Sequence, residues 1–115
     1  MRETDLVQRQ DFVFIKSEYK IIKINFDDIL FCKGMKDYIQ LYMSGKSKPV
    51  VTLKSLNAFE TKLPQDKFIR VHRSYIVSLF HIDTISKNEI CIGNQIIPIG
   101  NSFKSDFFTL VELNS

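Results

Sequence analysis

Apolar residues in this chain come in short runs broken by polar clusters, and only two stretches space them as a helix would. From Asp11, DFVFIKS alternates, with Phe12 and Phe14 read as the inward positions. KIIKIN resumes after the polar break at Ser17 and Glu18, so two strands joined by a tight turn are expected. FDD (residues 26–28) reads as one helical or turn step, because Asp27 and Asp28 resist a central strand. ILFCK returns to β character, GMK turns, and DYIQLYM sets Tyr38, Gln40 and Tyr42 on one face against Ile39, Leu41 and Met43 on the other. SGKSKP, residues 44–49, is a loop by its Gly, Ser and Pro and leads into the strand VVTL.

Ser55 is placed to cap a helix whose Leu56, Phe59 and Leu63 share a face and which Pro64 ends. KFIRV, HIDTISK, EICIG and QIIPI follow as short strands, separated by Lys87-Asn88 and Gly93-Asn94. The second pair is a hairpin signal, because a two-residue turn there needs positive φ. In NSFKSDFFTLVEL, Phe103, Phe107, Leu110 and Val111 fall at helical spacing, with Asn101 or Ser102 as the N-cap. The result is eight to ten short strands and two short helices with no βαβ alternation, a mainly β, mostly antiparallel domain. Residues 1–10 are polar without period and read as a linker or disordered N-terminus, leaving 11–115 as one domain.

One stretch breaks the strand pattern. FIRVHRSYIVSL, residues 68–79, is apolar at both ends but sets His72, Arg73, Ser74 and Tyr75 side by side. A buried strand cannot take His72 and Arg73 on consecutive positions without leaving a donor or a charge unpaired, so the chain must turn around Arg73 to Tyr75. Each residue also has a purely structural reading: His72 satisfied by a nearby carbonyl, Ser74 as a turn cap, Tyr75 with its ring buried and its hydroxyl paired. Arg73 differs, since a guanidinium on the crest of a turn suits a phosphate or the acceptor pair on a guanine edge.

Charge sharpens this. The chain is only +3 overall, yet residues 33–73 hold nine Lys or Arg against Asp37, Glu60 and Asp66. Such asymmetry fits a surface facing a polyanion, or lysines that merely solvate turns and a helix. With 44% hydrophobic and 25% charged residues, whole-chain disorder is excluded. No apolar run reaches the ~18 residues of a membrane helix, and the start lacks a signal-peptide core, so a cytoplasmic location is the default expectation.

Catalytic signals are missing. Ser74 lies two residues from His72 without an elbow glycine or an assignable acid, the carboxylates are scattered, and Gly34, Gly45, Gly93 and Gly100 are isolated rather than grouped as a phosphate loop. Cys32 and Cys91 sit in apolar runs and read as reduced thiols, and with His72 and His81 they lack metal-ligand spacing. Neither an enzyme nor a cofactor or metal site is expected.

Taken in order, ILFCKGMKDYIQL, TLKSLNAFETKLP, FIRVHRSYIV, HIDTI and IIPIGNSFK resemble the LytTR DNA-binding family over residues 11 to 111. The resemblance implies an elongated assembly of small β-sheets with two or three short helices, reading duplex DNA through loops as the output domain of a LytR/AlgR-type bacterial response regulator. Carried over by position, base contacts fall to Tyr38, Arg73 and Asn101. Backbone contacts are expected at His72, Ser74 and Ser102, and from charge alone at Lys36, Lys46, Lys48 and Lys104. Relatives usually have Glu at Lys33, often Asn at Ser78, and frequently Arg at Asn101 and Tyr at Phe103, so a target sequence does not transfer. The resemblance further implies an upstream receiver domain and repeated half-sites bound as a dimer. The isolated domain is expected to be a monomer, with no long apolar face left over. The competing class is a basic β protein-interaction module without DNA specificity. RNA binding fits less well, because single-strand readers use exposed aromatic platforms while most of the ten Phe read as core.

Overall fold

A computed structural model describes residues 11–115, so the linker expected over residues 1–10 lies outside the described residues. The N-terminal hairpin pairs β1 (Phe12–Ser17) with β2 (Lys20–Asn25) through the two-residue turn Glu18-Tyr19. A 3-10 turn over Phe26–Asp28 follows, as the aspartates predicted. Next come β3 (Ile29–Gly34), β4 (Ile39–Met43), β5 (Val50–Thr52), α1 (Leu56–Glu60), β6 (Phe68–His72) and β7 (Tyr75–Ser78). After a 3-10 turn over Leu79–His81, β8 (Thr84–Ile85), β9 (Glu89–Ile92) and β10 (Gln95–Pro98) lead into a 3-10 turn over Asn101–Phe103 and α2 (Lys104–Leu113). The ten strands form three antiparallel sheets, a β1-β2 pair, a five-stranded sheet in the order β5-β4-β3-β7-β6, and a three-stranded sheet in the order β10-β9-β8. This is the mainly β, antiparallel architecture expected from the run lengths.

The five-stranded sheet is covered on both faces, which is why ILFC and YIV read as continuous apolar runs. Ile29 and Cys32 of β3, Ile39, Leu41 and Met43 of β4 and Ile76 of β7 turn to one face, where Val13, Ile15 and Ile24 of the N-terminal hairpin and Leu56 and Phe59 of α1 meet them. Phe31, Val71 and Val77 turn to the other, under Ile90, Ile92, Ile97, Ile99 and Phe107. A bulge between Ile29 and Phe31 shifts the alternation, so that Ile29 and Cys32, three residues apart, face the same core. The N-terminal hairpin joins edge strand β5 by side-chain bonds, Ser17 Oγ donating to the Val51 carbonyl and Thr52 Oγ1 to the Lys16 carbonyl, each at 2.7 Å.

Several local expectations hold. Ser55 Oγ accepts the Ala58 N–H at 3.0 Å and caps α1, and Ile39, Leu41 and Met43 share the buried face of β4. Gly93 takes φ +57° at the first central residue of the β9–β10 turn, where a side chain would be strained.

Others are corrected. In β1 the inward pair is Val13 and Ile15, not Phe12 and Phe14: Phe14 is 60% exposed. Phe14 and Ile21 lie exposed on the outer face of the hairpin among the described residues, paired with Lys23 and Lys16. α1 ends at Glu60 rather than at Pro64, because the chain tightens into three-residue bonds, Lys62 N–H to the Phe59 carbonyl and Leu63 N–H to the Glu60 carbonyl. Neither Asn101 nor Ser102 caps α2. The chain enters that helix directly from the 3-10 turn, with Phe103 N–H donating to the Gly100 carbonyl at 2.9 Å.

Because one sheet serves both cores, Phe59→Ala on one face and Phe107→Ala on the other should each cost about 3–5 kcal/mol. Urea titration followed by backbone amide signals on both faces should show one shared transition for each variant. Two separable transitions would mean that the cores fold as independent units.

Candidate nucleic-acid interface

The polar interruption is the turn between β6 and β7. His72 pairs with Tyr75, Arg73 and Ser74 form the two-residue loop, and Tyr75 already opens β7. Neither loop residue takes positive φ, so this is not one of the primed turns whose twist matches two-residue hairpins. A bulge between Arg70 and His72 and a set of side-chain bonds hold it instead. Arg70 Nε donates to the His72 carbonyl at 2.8 Å and its Nη2 to the Arg73 carbonyl. Ser74 N–H donates to His72 Nδ1 at 3.0 Å, and the Ser74 carbonyl accepts Gly34 N–H at 2.8 Å. With the backbone of the turn tied inward, the exposed Arg73 side chain stands at its crest.

Two neighbouring segments are fastened to this turn. The Gly34 bond draws in the loop of residues 35–38, closed by Met35 N–H on the Tyr38 carbonyl at 2.8 Å, which presents exposed Lys36 and half-buried Tyr38. On the other side Gly100 N–H donates to the Val71 carbonyl at 2.8 Å and brings exposed Asn101 and Ser102 alongside. Space is tight at Gly100, since a Cβ there would stand 3.1 Å from the Phe103 ring and 3.5 Å from His72, so a side chain would push the ring aside by a few tenths of an ångström. Tyr38, Arg73 and Asn101, from three separate segments, thus converge on one end of the five-stranded sheet, with Lys36, His72, Ser74 and Ser102.

Three expected residues stand differently. Lys104 follows the same 3-10 turn, but its Nζ donates to Asn88 Oδ1 in the turn before β9. Lys46 and Lys48 are exposed at the opposite end of β4, about 14 Å of strand away from Tyr38, in a loop anchored by Ser44 N–H on the Asp28 carbonyl. They do not join the cluster, a separation that charge counting along the sequence cannot reveal. Ser78 closes β7 at that far end too and stays clear of the turn.

The structure also adds residues. Lys33 pairs with Tyr75 across β3 and β7, its Nζ 5.9 Å from the Tyr75 ring centroid. Arg70 was visible in the sequence as a cation between apolar neighbours in a strand, a position that demands partners. Lys33, Lys36, Arg70, Arg73 and Lys104 together make this end cationic, against Asp37 and Glu60.

His72 is held neutral. Its Nδ1 is occupied as an acceptor, and its pKa is lowered from 6.5 by burial first and then by the Arg73 and Arg70 charges. The remaining proton sits on Nε2, a single neutral donor beside Arg73. Between the lowered folded-state value and 6.5 the unfolded chain binds a proton that the folded chain refuses. The His72 contribution to stability should therefore be flat above pH 6.5 and fall as the pH drops below it. Imidazole ¹H–¹⁵N correlations should show the Nε2–H tautomer of His72 with a midpoint below 6.5; an Nδ1–H tautomer would refute the Ser74 bond, and a midpoint above 6.5 would refute the lowered pKa.

Among the described residues no helix is long and apolar enough to cross a membrane. The family profile of the LytTr DNA-binding domain matches residues 19–112. The sensory transduction protein LytT of Bacillus cereus is 26% identical over 119 residues, covering 98% of this chain and 48% of that protein. Its Bacillus anthracis counterpart is 25% identical over the same length and coverage, so the chain spans about half the length of these relatives. Among solved structures, a LytTr DNA-binding domain from Bacillus cereus superposes with a TM-score of 0.74 at 26% identity, covering 89% of this chain and 97% of that one. With the profile running from the turn of the first hairpin into the last helix and the fold superposing on that solved domain, this chain belongs to the LytTr DNA-binding domain family.

Proposed function

We propose that the domain binds duplex DNA sequence-specifically through its three converging loops rather than through a helix. The observation that carries this reading is the pair of backbone bonds, Gly34 to Ser74 and Gly100 to Val71, that hold Tyr38, Arg73 and Asn101 at one cationic end. Helix shape supports it. The α1 helix is five residues long, and α2 has Phe107 fully buried and presents one cation, Lys104, beside Asp106 and Glu112. Neither helix has the length and basic face of a major-groove reader.

In this reading Arg73 takes the O6/N7 pair of a guanine, Asn101 the N6/N7 edge of an adenine, and Tyr38 a neighbouring base edge. Lys36, Ser74, Ser102, Lys104 and the Nε2–H of His72 contact phosphates and set the register. Lys46 and Lys48 fall outside this footprint. Within a longer protein the domain serves as the transcription-regulating output of a response regulator. An upstream receiver, once phosphorylated, raises occupancy by dimerising the protein on repeated half-sites.

Arg73→Ala should cost about 1–3 kcal/mol on a site selected from a random duplex library and relax preference at one base. Lys36→Ala should weaken all duplexes alike and lower the log–log salt slope by about one. If the domain bound no duplex at low salt, the protein-interaction reading would replace this one. Sedimentation of the full-length protein should show greater association after phosphorylation, and no change would count against the dimerisation step.

A further inference from the structure

Arg70 lies next to the proposed readers, yet its side chain is only 15% exposed and its donors point inward. Nε serves the His72 carbonyl and Nη2 the Arg73 carbonyl, while Nη1 donates to Asn57 Oδ1 at 2.9 Å and to Glu60 Oε1 at 2.8 Å. These bonds use four of the five N–H donors that a guanidinium carries. A phosphate would find almost nothing left to bind.

We propose that Arg70, anchored by Asn57 and Glu60 of α1, is a positioning residue that fixes the Arg73–Ser74 turn and so sets how sharply Arg73 discriminates between bases. The proposal rests on the loop-reading function above and names what makes the loop a reader. The turn is not of a primed type, so its backbone has no intrinsic match to the twist of β6 and β7. Two of its carbonyls, at His72 and Arg73, are captured by one planar fork. The fork is itself held from behind by α1, which Ser55 caps and Phe59 seats in the core. A reader fixed before it meets DNA loses less conformational freedom on binding, and its contact to a wrong base cannot be rescued by readjustment. Lysine cannot replace this group, since a point charge on a flexible stem lacks the fork.

Glu60 provides a test in which electrostatics and positioning predict opposite signs. Removing a carboxylate beside a DNA-binding surface should by charge alone tighten binding. Glu60→Gln and Glu60→Ala remove the same charge, but only glutamine keeps an acceptor for Arg70. Each variant is measured on the site selected with the unaltered domain and on a scrambled duplex, with amide spectra confirming the fold. Glu60→Ala combined with Asn57→Ala should lower the ratio of specific to nonspecific affinity roughly tenfold, while Glu60→Gln stays within about twofold of the unaltered domain. Arg70→Lys should lose the same discrimination as the double variant. Arg70→Gln should lose it without changing the salt slope, because no phosphate contact is removed.

Equal discrimination in Glu60→Gln and the double variant would overturn the positioning role while leaving loop reading intact, provided that Arg73→Ala still relaxes specificity. A salt slope reduced by about 0.9 in Arg70→Gln would overturn it as well, by making Arg70 a direct phosphate contact. If the unaltered domain selects no site at all, loop reading fails and the positioning role falls with it. Should the Arg70 variants fail to fold, the Glu60 and Asn57 comparison decides alone.

Discussion

Phe31 and Cys32 are neighbours in β3, yet they are buried against different cores, on opposite faces of one sheet. Apolar burial is worth roughly 25 cal/mol per Å², so a strand sheltered on both sides is strongly held but can carry almost no polar side chain along its length. Cys32 illustrates the cost to polarity: burial pushes its thiol well above the ordinary cysteine range and removes it from thiolate chemistry. Polar groups are therefore displaced to the ends of the central strands. At one end stand Lys33, Gly34, His72, Arg73, Ser74 and Tyr75. The location of the interface follows from the covering of the sheet.

A site at the end of a sheet is built from turns, and turns are the least constrained part of a β domain. Here the lost rigidity is restored by bonds that cross between segments. Ser74 offers its carbonyl to Gly34 and its N–H to His72, and Val71 offers its carbonyl to Gly100. The His72 ring also packs edge-on against Tyr75, with centroids 5.5 Å apart, and Tyr75 in turn lies against Phe31 of the core. Stability thus passes from the buried sheet to the tip through a continuous set of contacts. The neutral state of His72 belongs to this support, because a second proton on the ring would expel the Ser74 N–H.

Most of the architecture was legible because the physical signal was local. The Asp27-Asp28 pair, the Ser55 cap and the alternation of DYIQLYM each depend on a few adjacent residues, and each took the form predicted. The first strand was misread because FVFI is apolar on both faces: Phe12 and Phe14 share one side and Val13 and Ile15 the other. Period alone cannot say which side meets the core. The end of α1 was misplaced since Pro64 forbids continuation without requiring that the helix reach it. The mistaken caps at Asn101 and Ser102 ignored a tightened turn preceding the helix. Lys46, Lys48 and Arg70 needed tertiary placement. The same positive charge lies at the far end of β4 in the first two and is tied into a turn in the third.

The departures from the family pattern acquire different weights once they are placed. Ser78 is buried at the end of β7 away from the turn, so it bears on packing rather than on readout. Lys33 is another matter. It stands between Gln40 and Tyr75 in the sheet, beside Gly34, and a glutamate there would set a negative charge against the polyanion proposed to bind this end. Lysine in its place extends the cationic end by one residue along β3. Asn101 would act in the other sense on the proposed reading, because where the resemblance leads one to expect a guanidinium it offers a carboxamide, which matches adenine better than guanine. On the proposed loop reading, the added charge of Lys33 would raise affinity for every duplex, whereas a carboxamide at position 101 would shift preference between bases. The two positions would then act by separate means, one at the end of a central strand and the other in the turn that enters α2.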